Sequence, residues 1–227
     1  MKWSLTVSVR TFTASAATNG PANRKKRVLH VGCGSNAPHR LHAFFRQDGA
    51  WDELRVDVDP SVNPDVVCSA ANMRKAVSDG SVDAVWSSHT IEHLHDHEVT
   101  LAVAEFRRVL KPNGFVLIRC PDLMAVVEAI QRDGLEGVAY VSPAGPIAPL
   151  DMLYGHRPPI ARGNTYMAHN TAFTDERIAR VLIDGGFGAV YTKRAPVFDL
   201  WAVAFLRAED AGAGLSALSQ SGLDFTR

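Results

Sequence analysis

The stretch Val28-Leu29-His30-Val31-Gly32-Cys33-Gly34-Ser35-Asn36 decides the reading of the fold. Apolar, β-branched residues run straight into two glycines separated by one residue. A buried strand ends this way when it enters a tight turn where backbone and ligand approach closely. A side chain at Gly32 or Gly34 would block that approach or clash with the turn's backbone angles. Further along, Arg55-Val56-Asp57-Val58-Asp59-Pro60 reads as a second strand ending in carboxylates. A glycine-rich turn followed about 20 residues later by an acidic strand end is how an α/β nucleotide-binding unit holds a ribose.

Working outward, strands are predicted near residues 27–31, 54–58, 65–68, 82–86 and 115–119, with helices near 39–47, 73–77, 98–110 and 122–133. The helix at 39–47 rests on Leu41, Phe44 and Phe45 sharing a face. Thr174 caps a helix over 175–184, and Gly185-Gly186 ends it. The final strands, 189–193 and 200–206, read as an antiparallel pair. Strands alternating with helices imply a mostly parallel sheet covered on both faces. Such sheets bind ligands at the carboxyl ends of their strands, where residues 32–36, 57–59, 70–73 and 87–93 all fall.

Composition narrows the field. At 227 residues, 46% hydrophobic and with zero formal net charge, the chain can bury a core and has no global pull toward nucleic acid. Its one basic run, Arg24-Lys25-Lys26-Arg27, reads as a solvated approach to the first strand. Cys33, Cys68 and Cys120 form no C-x-x-C pair, which fits a reducing, cytoplasmic setting. No apolar run reaches the ~18 residues of a membrane span. Nothing in the sequence speaks to oligomeric state.

Several segments, in order, resemble the class I S-adenosyl-L-methionine (SAM)-dependent methyltransferases. The opening stretch is similar to their V-L-D-x-G-C-G-x-G motif, and Asp57 to the acidic end of their second strand. Residues 80–89, Gly-Ser-Val-Asp-Ala-Val-Trp-Ser-Ser-His, resemble the fourth strand; Ile91-Glu92-His93-Leu94 resembles "LEHL"; and residues 105–114, ending Leu110-Lys111-Pro112-Asn113-Gly114, resemble "RVLKPGG". The resemblance covers residues 27–121. It implies a Rossmann-like α/β fold: a mostly parallel seven-stranded sheet, helices on both faces, and an antiparallel last strand.

The resemblance also implies roles. Gly32, Cys33 and Gly34 approach the methionine and ribose portions of SAM. Asp57 accepts both ribose hydroxyls and is preferred over Asp59, because the family's register puts Asp59 at a serine. Asn72 and Met73 stand where the family presents a pair to adenine; an ordinary loop pair is the equal alternative. Ser88 and His89 sit beside the sulfonium. Two positions depart from the pattern: His30 replaces the family's acid and brings no fixed negative charge, and Asn36 replaces the last glycine, tolerating the left-handed conformation better than most residues.

His93 and His169 are the candidate catalytic bases, since imidazole titrates near neutrality. His89-x-x-Glu92-His93 resembles a metal-binding E-x-x-E-H, but the preferred reading makes Glu92 and His93 part of a metal-free active-site floor. Residues 1–23 are expected to be a flexible extension, 24–208 the methyltransferase domain with a substrate insertion at about 122–172, and 209–227 a frayed tail. The expected activity is methyl transfer from SAM to O or N of a small polar metabolite or glycan precursor, with no nucleic-acid or membrane partner. The alternatives are a non-catalytic binding protein on the same fold and a nicotinamide-dependent oxidoreductase. The pattern tolerates Ala37 in place of its third glycine, but Pro38 interrupts where a pyrophosphate-cradling helix would begin and disfavours the second.

Overall fold

The computed structural model describes residues 24–47 and 49–226; the expected extension at 1–23 lies outside them. The strands are β1 (Lys26–Val31), β2 (Trp51–Asp57), β3 (Val66–Val67), β4 (Val82–Ser88), β5 (Leu110–Pro121), β6 (Tyr140–Ser142), β7 (Gly145–Ile147), β8 (Ala189–Ala195) and β9 (Asp199–Phe205). The helices are α1 (Asp96–Val109), α2 (Leu123–Asp133), α3 (Pro149–Tyr154), α4 (Arg157–Ala161), α5 (Asp175–Asp184) and α6 (Ala211–Gln220).

Seven strands form one sheet in the order β3-β2-β1-β4-β5-β9-β8. The first five pair in parallel, whereas β9 runs antiparallel to both β5 and β8. Strands β1 and β4 lie centrally, so their apolar side chains point alternately into two cores. On one face Leu29, Val31, Val85 and Ile118 pack beneath Val103 and Phe106 of α1 and Ile178 and Leu182 of α5. On the other, Val28, Trp86, Leu117 and Phe205 pack against Phe44, Phe45 and Leu218. The N-terminus of α5 is capped by Thr174, whose hydroxyl accepts from the N–H of Arg177.

Three local expectations are corrected. Residues 39–47 form two 3-10 turns, Pro38–Arg40 and Ala43–Arg46, rather than a helix. Adjacent Phe44 and Phe45 are both buried, and an α-helix would aim them about 100° apart. Here Phe45 packs edge-on to Trp51 while Trp86 Nε1 donates to the Arg40 carbonyl, holding the turn against the sheet. Residues 73–77 make only a turn, because Met73 is drawn fully into the core. The tail expected to fray contains α6. Its small residues bring it close to the sheet: a Cβ on Gly214 would lie 2.1 Å from the Phe205 ring. No described helix is long and apolar enough to cross a membrane.

Between β5 and α5 the chain leaves the sheet. The hairpin β6–β7 and helices α2 and α3 enclose a third cluster of Val126, Ile147 and Met152. Asp151 holds this segment by accepting from Ala148 N–H and from Arg157 Nε at 2.8 Å.

Leu218 is fully buried. Leu218→Ala is expected to cost about 2–5 kcal/mol in urea unfolding with the slope unchanged. A loss below about 0.5 kcal/mol, typical of exposed positions, would show that α6 is not packed.

Candidate active site

The carboxyl ends of β1, β2 and β4 and the start of β9 meet at one edge of the sheet, over a cavity of about 1190 Å³. That exceeds the ~300–1,000 Å³ of a typical single-ligand pocket and leaves room for two bound molecules. Two groups of residues line it.

The first group is built on the glycine turn. Gly32 has φ +65°, and a Cβ there would lie 2.1 Å from Thr90 Oγ1. Gly34 donates its N–H to Asp57 Oδ2 at 2.8 Å, and Asp59 N–H donates to Asp57 Oδ1 at 3.0 Å. The Asp57 carboxylate therefore orders both loops while retaining lone pairs for the cavity. Asp59 also lines the cavity, but its Oδ1 accepts from Ser61 N–H and caps the next turn. Arg55 reaches back to the Gly34 carbonyl at 2.6 Å. Burial pushes the Cys33 thiol up to about 11, so it stays protonated and unreactive at neutral pH. His30 is buried, and Glu53 on β2 stands 2.6 Å from its Nδ1. The strand that lacks the family's acid thus has a carboxylate against it from its neighbour.

The second group surrounds Glu92. His89 adopts φ +49°, a left-handed conformation that is uncommon for a residue with a side chain and clusters at functional sites. This aims its ring between two carboxylates, with Nδ1 3.3 Å from Glu92 Oε1 and Nε2 3.4 Å from Asp199 Oδ1. Burial opposes the imidazolium, but Asp199 and Glu92 overcome it and raise His89 to about 9. Arg119 Nη2 pairs with the other Asp199 oxygen at 2.6 Å and lies over the Trp201 ring. Burial likewise opposes ionisation of Glu92, yet the surrounding imidazoles, His89 foremost, hold its carboxyl below the usual range. His93 and His169 meet edge to face with ring centres 4.8 Å apart. Burial, the largest influence, lowers His169 below its ordinary value and favours the neutral ring.

Gly32, Cys33, Gly34, Asp57, Asp59, Ser88, His89, His93 and His169 all line the cavity. Asn72 and Met73 do not. Met73 is fully buried in the core, with its N–H donating to Glu105, and Cys68, Ser69 and Ala70 line the wall instead. Asp199 and Arg119 were missed from the sequence. The signal lay in the reversed last strand: running antiparallel, β9 places its first residue, Asp199, opposite Pro121 at the ligand edge. Thr90 was missed too, and no sequence pattern marks it.

Residues 29–118 match a family model described as a methyltransferase domain. A SAM-dependent methyltransferase from Archaeoglobus fulgidus superposes with a TM-score of 0.53 at 15% identity, covering 81% of this chain and 87% of that one. A SAM-dependent methyltransferase structure from Methanosarcina mazei gives 0.51 at 15% identity, over 81% and 93%. The 1,6-didemethyltoxoflavin-N1-methyltransferase of Burkholderia thailandensis, solved with 1,6-didemethyltoxoflavin and S-adenosylhomocysteine, gives 0.50 at 16% identity, over 81% and 72%. No curated protein sequence matches the chain. Residues 29–118 thus match a methyltransferase-domain model, and the fold is the Rossmann-like one shared with these solved SAM-dependent methyltransferases.

Gly32→Ala is expected to lower the melting temperature by several degrees, because the new methyl meets Thr90 and the positive φ is unfavourable for alanine. Thr90→Gly vacates the contact but also loses the hydroxyl's bonds to Val31 and Ser88, so Gly32→Ala is measured in that background against Thr90→Gly alone, where it should cost less than in the native chain. An equal cost in the two backgrounds would show that the backbone angle alone sets it.

Proposed function

We propose that the chain transfers the methyl group of SAM to an oxygen or nitrogen of a small polar acceptor, a metabolite or glycan precursor, releasing S-adenosylhomocysteine. The observation that carries this reading is that one cavity is lined both by the glycine turn with Asp57 and by the polar segment containing Asp151, Asn164, His169 and Asn170. The first half suits a ribose and an amino-acid portion. The second offers carboxylate, amide and imidazole groups that match a hydroxylated or amine-bearing molecule. Segment 122–172 then acts as the acceptor-binding cover.

Methyl transfer is an in-line displacement at a sulfonium, so alignment of the two molecules supplies much of the rate. Gly32, Cys33, Gly34 and Ser88 serve the cofactor's methionine and ribose ends, and His89 stands where the cofactor and acceptor halves meet. Asp57, already fixed by two backbone N–H groups, takes the ribose hydroxyls without having to be ordered first. His93 and His169 stand on the acceptor side.

Calorimetric titration with SAM and S-adenosylhomocysteine, with NAD as control, tests this. Binding of the first two and silence from NAD is expected. Asp57→Ala should weaken SAM at least tenfold, about 1.4 kcal/mol. Retained affinity would move the ribose role to Asp59, and a folded protein that binds neither ligand would overturn the reading.

A further inference from the structure

Glu92 presents a physical problem. It is 1% exposed, and among the described residues neither of its carboxylate oxygens receives a hydrogen bond. His89 stands near Oε1 at ion-pair distance only, and Oε2 has no partner. A buried carboxylate left this way is costly unless something else binds it.

Two imidazoles face the same place. Glu92, His93 and His169 each offer a ligand atom, and all three atoms lie within 4.8 Å of one another. His93 Nδ1 lies 3.0 Å from the Ala168 carbonyl, and His169 Nδ1 lies 2.8 Å from the Met152 carbonyl. A carbonyl only accepts, so both Nδ1 atoms carry hydrogen, which leaves Nε2 as the electron-pair donor of each ring in its neutral form. Fixing the tautomer and ring orientation through a backbone carbonyl is how proteins prepare metal-binding histidines. The two chain segments are already clamped: Asn170 and Thr171 donate their N–H groups to the Glu92 carbonyl, and Asn170 Nδ2 donates to the His93 carbonyl. The backbone that carries the three ligands is therefore held in place before an ion binds.

We propose that Glu92, His93 and His169 form a binding site for one first-row divalent transition-metal ion, of the zinc, cobalt or manganese kind, on the acceptor side of the cavity. Two imidazole nitrogens and one carboxylate suit such ions over magnesium or calcium, which favour all-oxygen shells. Three protein ligands leave coordination positions open, as in catalytic rather than structural sites. Those positions suit oxygen or nitrogen atoms of the acceptor, whose orientation the ion would fix. In this arrangement His93 and His169 hold the ion instead of taking the acceptor's proton. The acceptor role rests on the methyltransferase reading; the metal site itself does not.

The test uses full-length protein treated with chelator and then titrated with Zn²⁺ and, separately, Co²⁺. One ion per chain is expected, with a rise in melting temperature. Cobalt should give visible bands without the near-ultraviolet thiolate absorption that ligation by Cys33, Cys68 or Cys120 would produce. Glu92→Gln and His169→Gln should each weaken binding at least tenfold, whereas His97→Ala, an exposed control, should leave it unchanged. Should Glu92→Gln not fold, His169→Gln decides alone, because its side chain lies outside both sheet cores. Absence of binding, binding indifferent to Glu92→Gln and His169→Gln, or a thiolate spectrum would each overturn the site. SAM titrated into metal-free protein separates the two readings. Metal binding without SAM binding would overturn the proposed function and leave the metal site standing; SAM binding without metal binding would do the reverse.

Discussion

At Gly32 the chain turns out of β1 so close to Thr90 that no side chain fits between them. The Thr90 hydroxyl reaches the carbonyls of Val31 and Ser88, the last residues of β1 and β4. The two central strands are thereby held in register at their ends as well as through their ladder. Everything at the ligand edge inherits its position from this contact. It sets where Gly34 meets Asp57, and it sets where the chain enters the left-handed turn at His89 and the 3-10 turn carrying Glu92 and His93. A shift of about 1 Å here would misplace both halves of the cavity together, the kind of error that costs reaction rate heavily even from a distance.

The charges of the site form a layered arrangement rather than a set of pairs. Glu92 and Asp199 flank His89, and Arg119 balances Asp199 from beyond. The chain's net charge is zero, yet this cluster gathers two buried carboxylates with one guanidinium and three imidazoles around the cavity. Buried ions of this sort contribute little net stability, so function is the more economical reason for keeping them.

Much of this was legible in the sequence because its signals are local. The run into Gly32, the acidic end of β2 and the Thr174 cap are each decided by neighbouring residues. The features that escaped depend on partners distant in sequence. The helix α6, rich in Ala, Gly and Ser, reads as a loose tail until Phe205 is seen to require Gly214 to be small. Phe44 and Phe45 suggest a helical face until Trp51 and Phe115 draw both inward. Met73 resembles a ligand contact until Glu105 takes its N–H and the core takes its side chain. Asp199 carries no local pattern at all; only the direction of β9 brings it to the site.

The segment between β5 and α5, which lines part of the cavity, leaves and rejoins the sheet at one place. Asp122 bridges Phe173, and Leu123 N–H donates to the Phe173 carbonyl at 3.0 Å. Because its two ends already touch, the length and sequence of what lies between them are not fixed by the sheet. Such a stretch can be exchanged as a cassette while β1, β2 and β4 keep their register. Any replacement that retained an imidazole in place of His169 would also keep its half of the contact with Glu92 and His93, so the cassette has one position that is not free to drift.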